Sequence, residues 1–185
     1  MTASYTAPAR FLHWLMAPLL LGMLAMGFYV SDLPFSPQRL QLVAWHKWAG
    51  VTVFVLVLLR LAWRFTHAPP PLPRTSSTFV RRASALAHGL LYGLMVCMPV
   101  SGWLMSSAKG VPTVWFGVLR LPDLLSRDKA LGDALHDVHE SLALALCALV
   151  LLHVAAALKH HFIDRDGLLR RMWPRALPSK GGSQP

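Results

Sequence analysis

The chain has 185 residues, 55% of them hydrophobic and only 14% charged, with a mean hydropathy of +0.46. Soluble domains are nearer a quarter charged, so this composition excludes an ordinary soluble enzyme and points to an integral membrane protein. The formal charge of +10 would suit a nucleic-acid partner, but its distribution along the chain has another explanation, given below, and leaves that role unnecessary.

Four apolar stretches, residues 11–30, 42–63, 85–105 and 138–158, are long enough to cross a hydrocarbon core about 30 Å thick. The first carries His13 and Pro18, follows only Arg10, and meets no small-residue cleavage site before Asp32 and Pro34. It therefore reads as a retained helix rather than a leader. Residues 31–41, with Pro34 and Pro37, form a short loop that returns the chain. The second stretch ends near Arg64, and residues 68–78, rich in Pro, Ser and Thr, form an irregular connection. The long loop 106–137 contains an apolar and aromatic run, residues 114–125, flanked by Pro112 and Pro122. It reads as a segment lying in the interface, not a fifth span. Beyond Phe162 the chain is basic and rich in Pro and Gly, with a disordered end expected.

Lys and Arg placement sets the orientation. The N-terminal tail, residues 60–82 and the C-terminal tail share one side, which collects twelve basic and two acidic residues; the other side collects six of each. The whole net charge is thus topological. The expected fold is all-α: an integral membrane four-helix bundle, up-down, with N and C termini cytoplasmic. Residues 1–162 would form the transmembrane domain and 163–185 a basic cytoplasmic tail. Trp14 and Trp63 fall at the inner interface and Trp45, Trp48 and Trp103 at the outer one, where an aromatic belt is expected. Cys97 and Cys147 both lie within spans and are expected to be free packing residues.

His139 and His153 are 14 residues apart in the fourth stretch. At 3.6 residues per turn that is nearly four turns, so both face one side of a helix, about 21 Å apart along its axis. His46 lies at the depth of His139, and His13 near that of His153. Histidine inside a membrane is costly and therefore functional by default. Two pairs at two depths are what two bis-histidine haems need: His46 with His139 at the outer level, His13 with His153 at the inner one. The chain has no C-x-x-C-H, so such haems would be held without thioether links. His136, three residues before His139, is an alternative outer ligand. His88 opens the third stretch, where it is either an interfacial residue or a contact for a quinone or an inner haem propionate. Arg60, 14 residues after His46, should share its helix face at the inner level, as a propionate partner or as a snorkelling side chain. Gly89 and Gly93 form G-x-x-x-G, which serves helix packing as readily as cofactor approach. His67, His160 and His161 read as interfacial or loop residues.

The motifs R-F-L-H-W at residues 10–14, W-H-K-W-A-G at 45–50, A-H-G-L-L-Y at 87–92, P-V-S-G-W-L-M at 99–105 and L-H-D-V-H-E at 135–140 together resemble the bacterial cytochrome b561 family. The resemblance covers residues 9–162. It extends to the cytochrome b subunits of formate dehydrogenase and nickel–iron hydrogenase, in which the fourth helix also carries one ligand for each of two haems. The resemblance implies a four-helix bundle in the bacterial inner membrane with two haem b groups, ligated by His46 and His139 and by His13 and His153. For small standalone members it implies a superoxide oxidase, which passes electrons from superoxide at the periplasmic face to ubiquinone. The other implied role is a cytochrome b subunit linking a dehydrogenase or hydrogenase partner to the quinone pool. Lys109, Arg120, Arg127 and Lys129 could draw an anion to the outer loop, although that loop is neutral overall. A quinone needs an apolar groove with one or two donors. Ser101, Trp103 and Lys109 are candidates on the outer side, and His88 and Arg74 on the inner side.

Overall fold

The computed structural model describes residues 4–71 and 77–173. Four long helices make the bundle: α1 (Ala7–Ser31), α2 (Pro37–Thr66), α3 (Thr78–Ala108) and α4 (Lys129–Phe162). All four are long and apolar enough to cross a membrane. Between α3 and α4 lies a small antiparallel hairpin, β1 (Val114–Trp115) and β2 (Leu119–Arg120), and α5 (Leu168–Met172) follows α4. The architecture is a four-helix membrane bundle. One of its ends bears the start of α1 and the end of α4, and the opposite end bears the hairpin.

Each helix outruns the apolar stretch that announced it, because capping residues lie outside the hydrophobic windows. Ser36 accepts from the Arg39 N–H and Pro37 occupies the first turn of α2, where its missing N–H costs nothing. The expected loop 31–41 therefore shrinks to residues 32–36. Ser77 caps α3 through the Val80 N–H, and Asp128 caps α4 through the Leu131 N–H. The first turns of α4 carry Asp133, His136, Asp137 and Glu140, polar residues that a hydropathy window excludes.

The run 114–125 forms the hairpin and its flank, and is not a membrane-length helix. Trp48 Nε1 donates to the Val114 carbonyl at 2.6 Å, and Trp115 Nε1 to Thr52 Oγ1 at 3.2 Å. Trp103 Nε1 donates to the Pro122 carbonyl at 3.0 Å, and Lys47 Nζ to the Val111 carbonyl at 3.2 Å. The turn places Phe116 at φ 49° and Gly117 at φ 73°. A left-handed φ is unusual for so bulky a residue as Phe116; its ring is held between Trp48 and Trp115, with centroids 5.6 and 5.4 Å away. Trp48 and Trp103 are thus loop clamps as well as belt residues. Trp45, 44% exposed, alone of the three keeps a purely peripheral place.

The chain beyond α4 is described as far as Trp173. Through Trp173 it is folded against the bundle. The Arg171 carbonyl accepts from the Tyr5 N–H, Trp14 Nε1 donates to the Met172 carbonyl at 2.7 Å, and Arg171 Nη1 donates to the Pro71 carbonyl at 2.8 Å. Arg74, the remainder of the tail and its expected disorder lie outside the described residues.

Packing is uneven. α1 lies on α2, α2 on α3 and α3 on α4, but α4 stands off from α1 and α2. The buried apolar cluster is Met16 of α1 with Val53 and Val57 of α2, joined by Met95 and Val96 of α3; α4 contributes nothing to it. A bundle held by close packing alone would fill that gap, since interiors approach crystal density. Here the gap between α4 and the α1–α2 pair is bridged by imidazole rings.

Candidate haem-binding site

Two histidine pairs span the gap. At the hairpin end, the His46 and His139 rings have centroids 6.4 Å apart and planes at 79°. At the other end, His13 and His153 are also 6.4 Å apart, at 73°. An imidazole nitrogen sits about 2 Å from a bound transition metal, so two such bonds plus the nitrogen-to-centre distance of each ring span about 6 Å. Both pairs thus hold the separation at which one metal ion fits between two imidazoles.

Two glycines make room for the rings of one pair. Gly27 and Gly102 stand directly behind the two rings of the hairpin-end pair. A Cβ on Gly27 would lie 3.3 Å from His46 Cε1, and one on Gly102 would lie 3.1 Å from His139 Cε1. Both glycines clear the space the rings occupy. Sequence reasoning passed over them because their partners lie on other helices.

Ser101 fixes the His139 ring. Its Oγ donates to the Met98 carbonyl at 2.8 Å and lies 2.9 Å from His139 Nδ1. With its only proton committed to the carbonyl, the hydroxyl accepts from Nδ1–H. That tautomer leaves the lone pair of Nε2 free for a metal, the usual arrangement for a ligating histidine. Ser101, a quinone candidate from sequence, is buried at 6% exposure and engaged in this bond. His46 Nδ1 is buried without a hydrogen-bond partner. An orphaned polar atom of this kind costs free energy unless a bound group satisfies it. We predict that Ser101→Ala lowers haem affinity at this pair by about 10–100-fold. The check is haem titration of the apoprotein, with the His13–His153 level unchanged.

The other level has a third ring. His88 lies 5.4 Å from His153, closer than the His13 centroid, and its Nδ1–H donates to the Ser84 carbonyl at 2.7 Å. Only the His13–His153 separation repeats the 6.4 Å of the other pair. His88 thus reaches the site without matching its geometry. Arg60 comes to the same end; its Nε donates to Tyr92 OH at 2.9 Å, with no carboxylate partner among the described residues. That leaves its remaining donors for an acid group.

The remaining candidates are placed as follows. Lys109 pairs with Asp133 at 3.8 Å, Lys129 with Asp133 at 2.8 Å and Arg120 with Asp123 at 3.3 Å. Arg127 packs its stem on Gly110. Three of the four outer-loop cations are therefore offset by acids. Lys47, next to His46, has only the Val111 and Pro112 carbonyls as partners. It is the cation that sequence reasoning overlooked, because only folding brings the loop carbonyls, and the Asp123 charge, to it. Trp103 is committed to Pro122, and His136 is exposed. His67 stacks on Trp63 at 3.9 Å. His160 lies 2.6 Å from Asp166 and 3.2 Å from Asp164. Lys159 closes that cluster and holds the Asp164 carboxyl below the usual carboxylate range.

Known proteins resemble the chain over nearly all of its length. The family model described as prokaryotic cytochrome b561 matches residues 4–175. Cytochrome b561 homolog 2 of Escherichia coli (strain K12) is 35% identical over 177 residues, covering 91% of this chain and 90% of that protein. A protein named probable superoxide oxidase CybB, from Yersinia pestis, is 27% identical over 168 residues, 89% of this chain and 92% of its own. Cytochrome b561 homolog 1 of Escherichia coli (strain K12) is 27% identical over 130 residues, covering 70% and 73%. Four membrane-length helices, histidines set to hold metal between them and a match along almost the whole sequence agree, and the chain belongs to the prokaryotic cytochrome b561 family of haem b electron-transfer membrane proteins.

Proposed function

We propose that this chain is a di-haem b cytochrome of the bacterial inner membrane that moves electrons from superoxide to ubiquinone. The observation that carries the two-haem part is the repeated 6.4 Å histidine separation at two levels. His46 and His139 would hold the outer haem, and His13 and His153 the inner one. Excess Lys and Arg at the end bearing the termini supports a cytoplasmic side for both termini. Each haem, when bound, stores and passes a single electron.

The protein's own residues supply position and field. α4 fixes the spacing of the two levels at about 21 Å by its 14-residue interval. Ser101 sets the tautomer of His139, and Gly27 and Gly102 give the rings room. Arg60 offers its charge to a propionate. Lys47, held by two carbonyls beside His46, is the cation nearest the outer pair in sequence and would attract an anion such as superoxide. The balance requires two superoxide ions, each losing one electron to become dioxygen. Ubiquinone gains those two electrons and two protons. The name of the Yersinia pestis relative supports this donor.

A second reading has one observation in its favour. The hairpin exposes Phe116 at 57%, Val118 at 88% and Leu119 at 53%, an apolar tip on which a dehydrogenase or hydrogenase partner would dock. Stopped-flow visible spectroscopy separates the two. Oxidised protein mixed with superoxide should show haem reduction approaching about 10⁸ M⁻¹s⁻¹, then reoxidation on adding a soluble ubiquinone. Slow reduction by superoxide, with haem bound, would transfer the assignment to the subunit role.

A further inference from the structure

The end of the bundle that bears the termini holds a cavity of about 200 Å³ between the start of α1, the end of α2 and α3. Its walls include Tyr5, Arg60, Trp63, Arg64, His67 and Tyr92, with no carboxylate among the lining residues. Two guanidinium groups flank one ring: Arg60 lies 5.9 Å and Arg64 5.5 Å from the Tyr92 centroid. Arg60 spends one donor on Tyr92 OH. Arg64 has no hydrogen bond or acidic partner among the described residues. Behind the wall, Arg171 is 9% exposed; its Nη1 reaches the Pro71 carbonyl, while its Nε is buried without a partner. The Arg64, Arg60 and Arg171 charges all act on Tyr5, although burial, the larger effect, still raises its pKa.

Three arginines without a carboxylate, one of them buried, are expensive unless an anion completes them. Contacts across the walls tie them together. Trp63 Nε1 donates to Thr6 Oγ1 at 2.8 Å, and the Trp63 ring stacks on His67. The location specifies the source of the anion. Arg64 sits at the last turns of a membrane helix, at headgroup depth, and its neighbour Phe65 is 86% exposed, as suits contact with acyl chains. Basic pockets between membrane helices at this level take phosphate-bearing headgroups.

We infer that this cavity binds the phosphodiester headgroup of an anionic phospholipid, with Arg64 on the phosphate, Trp63 and Tyr92 as its aromatic walls, and Arg60 lining its edge without taking the phosphate. The inference does not rest on the electron-transfer reading.

The test is native mass spectrometry of the haem-loaded protein in detergent, titrated with phosphatidylglycerol, phosphatidylcholine or inorganic phosphate. Phosphatidylglycerol should bind in preference to phosphatidylcholine. Arg64→Gln should weaken that binding about fivefold, Arg64→Lys should keep most of it, and Arg82→Gln, an exposed position outside the cavity, should leave it unchanged. Equal losses in Arg64→Gln and Arg82→Gln would reduce the effect to diffuse surface charge and overturn the site. So would lipid binding that is the same in the parent and Arg64→Gln, which would leave the cavity to haem carboxylates. Displacement of the lipid by millimolar phosphate would make the ligand a soluble anion and overturn the lipid assignment. Haem content, read in the same spectra, reports on the cytochrome separately.

Discussion

His153→Ala is expected to yield protein with about half the parent's haem, all of it at the outer level, and His139→Ala is expected to do the reverse. Each substitution removes one of two axial imidazoles from a single level. The other level lies about 21 Å away along α4 and has its own partner on a different helix, His46 on α2 or His13 on α1. A haem left with a single protein ligand loses the low-spin, two-imidazole environment even where it stays bound. Two readouts follow: haem per chain by the pyridine haemochrome method, and the two low-spin signals by electron paramagnetic resonance. The double variant should bind no haem. Full haem content and both signals in each single variant would sink the ligand map. His88, 5.4 Å from His153, makes one intermediate result informative. Haem that persists at the inner level in His13→Ala but not in His88→Ala would make His88 the ligand.

Gly102→Val should weaken binding of the outer haem without altering any ligand. A Cβ at position 102 falls 3.1 Å from His139 Cε1 and 3.4 Å from Nδ1. An unconstrained ring would shift by a few tenths of an ångström, but His139 is held by Ser101 on one side and would be held by a bound haem iron on the other. Overpacking at a fixed group costs about 1–3 kcal/mol, so outer-haem affinity should fall about tenfold or more. Gly27→Val, with its nearest contact at 3.3 Å from His46, should act in the same direction and less strongly. Gly22→Val is the control, since nothing lies within 4 Å of its Cβ. Haem titration of the three apoproteins gives the ranking; equal affinities across them would show that the rings are not held against these glycines.

The charge pattern of the outer loop shows how sequence and structure divide the problem. From composition, Lys109, Arg120, Arg127 and Lys129 are equal candidates for drawing in an anion. Folding places Asp133 beside both Lys109 and Lys129, and Asp123 beside Arg120. Their fields are largely cancelled, and such exposed pairs are worth little to stability. Lys47 sits in a helix where hydropathy gives no reason to single it out, and it emerges beside His46 because the 106–128 segment folds over it, holding its ammonium by two carbonyls while the Asp123 charge acts on it from further away.

The sequence by itself determined four membrane-length helices, their up-down course and the phase of His139 and His153 on one face. These follow from local regularities: hydropathy over about 20 residues, helical period and the distribution of Lys and Arg. Only the tertiary structure decided what crosses between helices. It showed that α4 stands off from α1 and α2, that both histidine pairs share one separation, that Gly27 and Gly102 back the rings, and that Ser101 holds His139 rather than standing open to a quinone. It also decided that the 114–125 run becomes a hairpin clamped by Trp48 and Trp103, and that Arg171 returns to the start of the chain. Such contacts join residues far apart in sequence, up to 158 positions for Trp14 and Met172, and depend on distances between helix axes. A periodic pattern records which way each helix faces, but it holds no information on how far away the neighbouring helix stands.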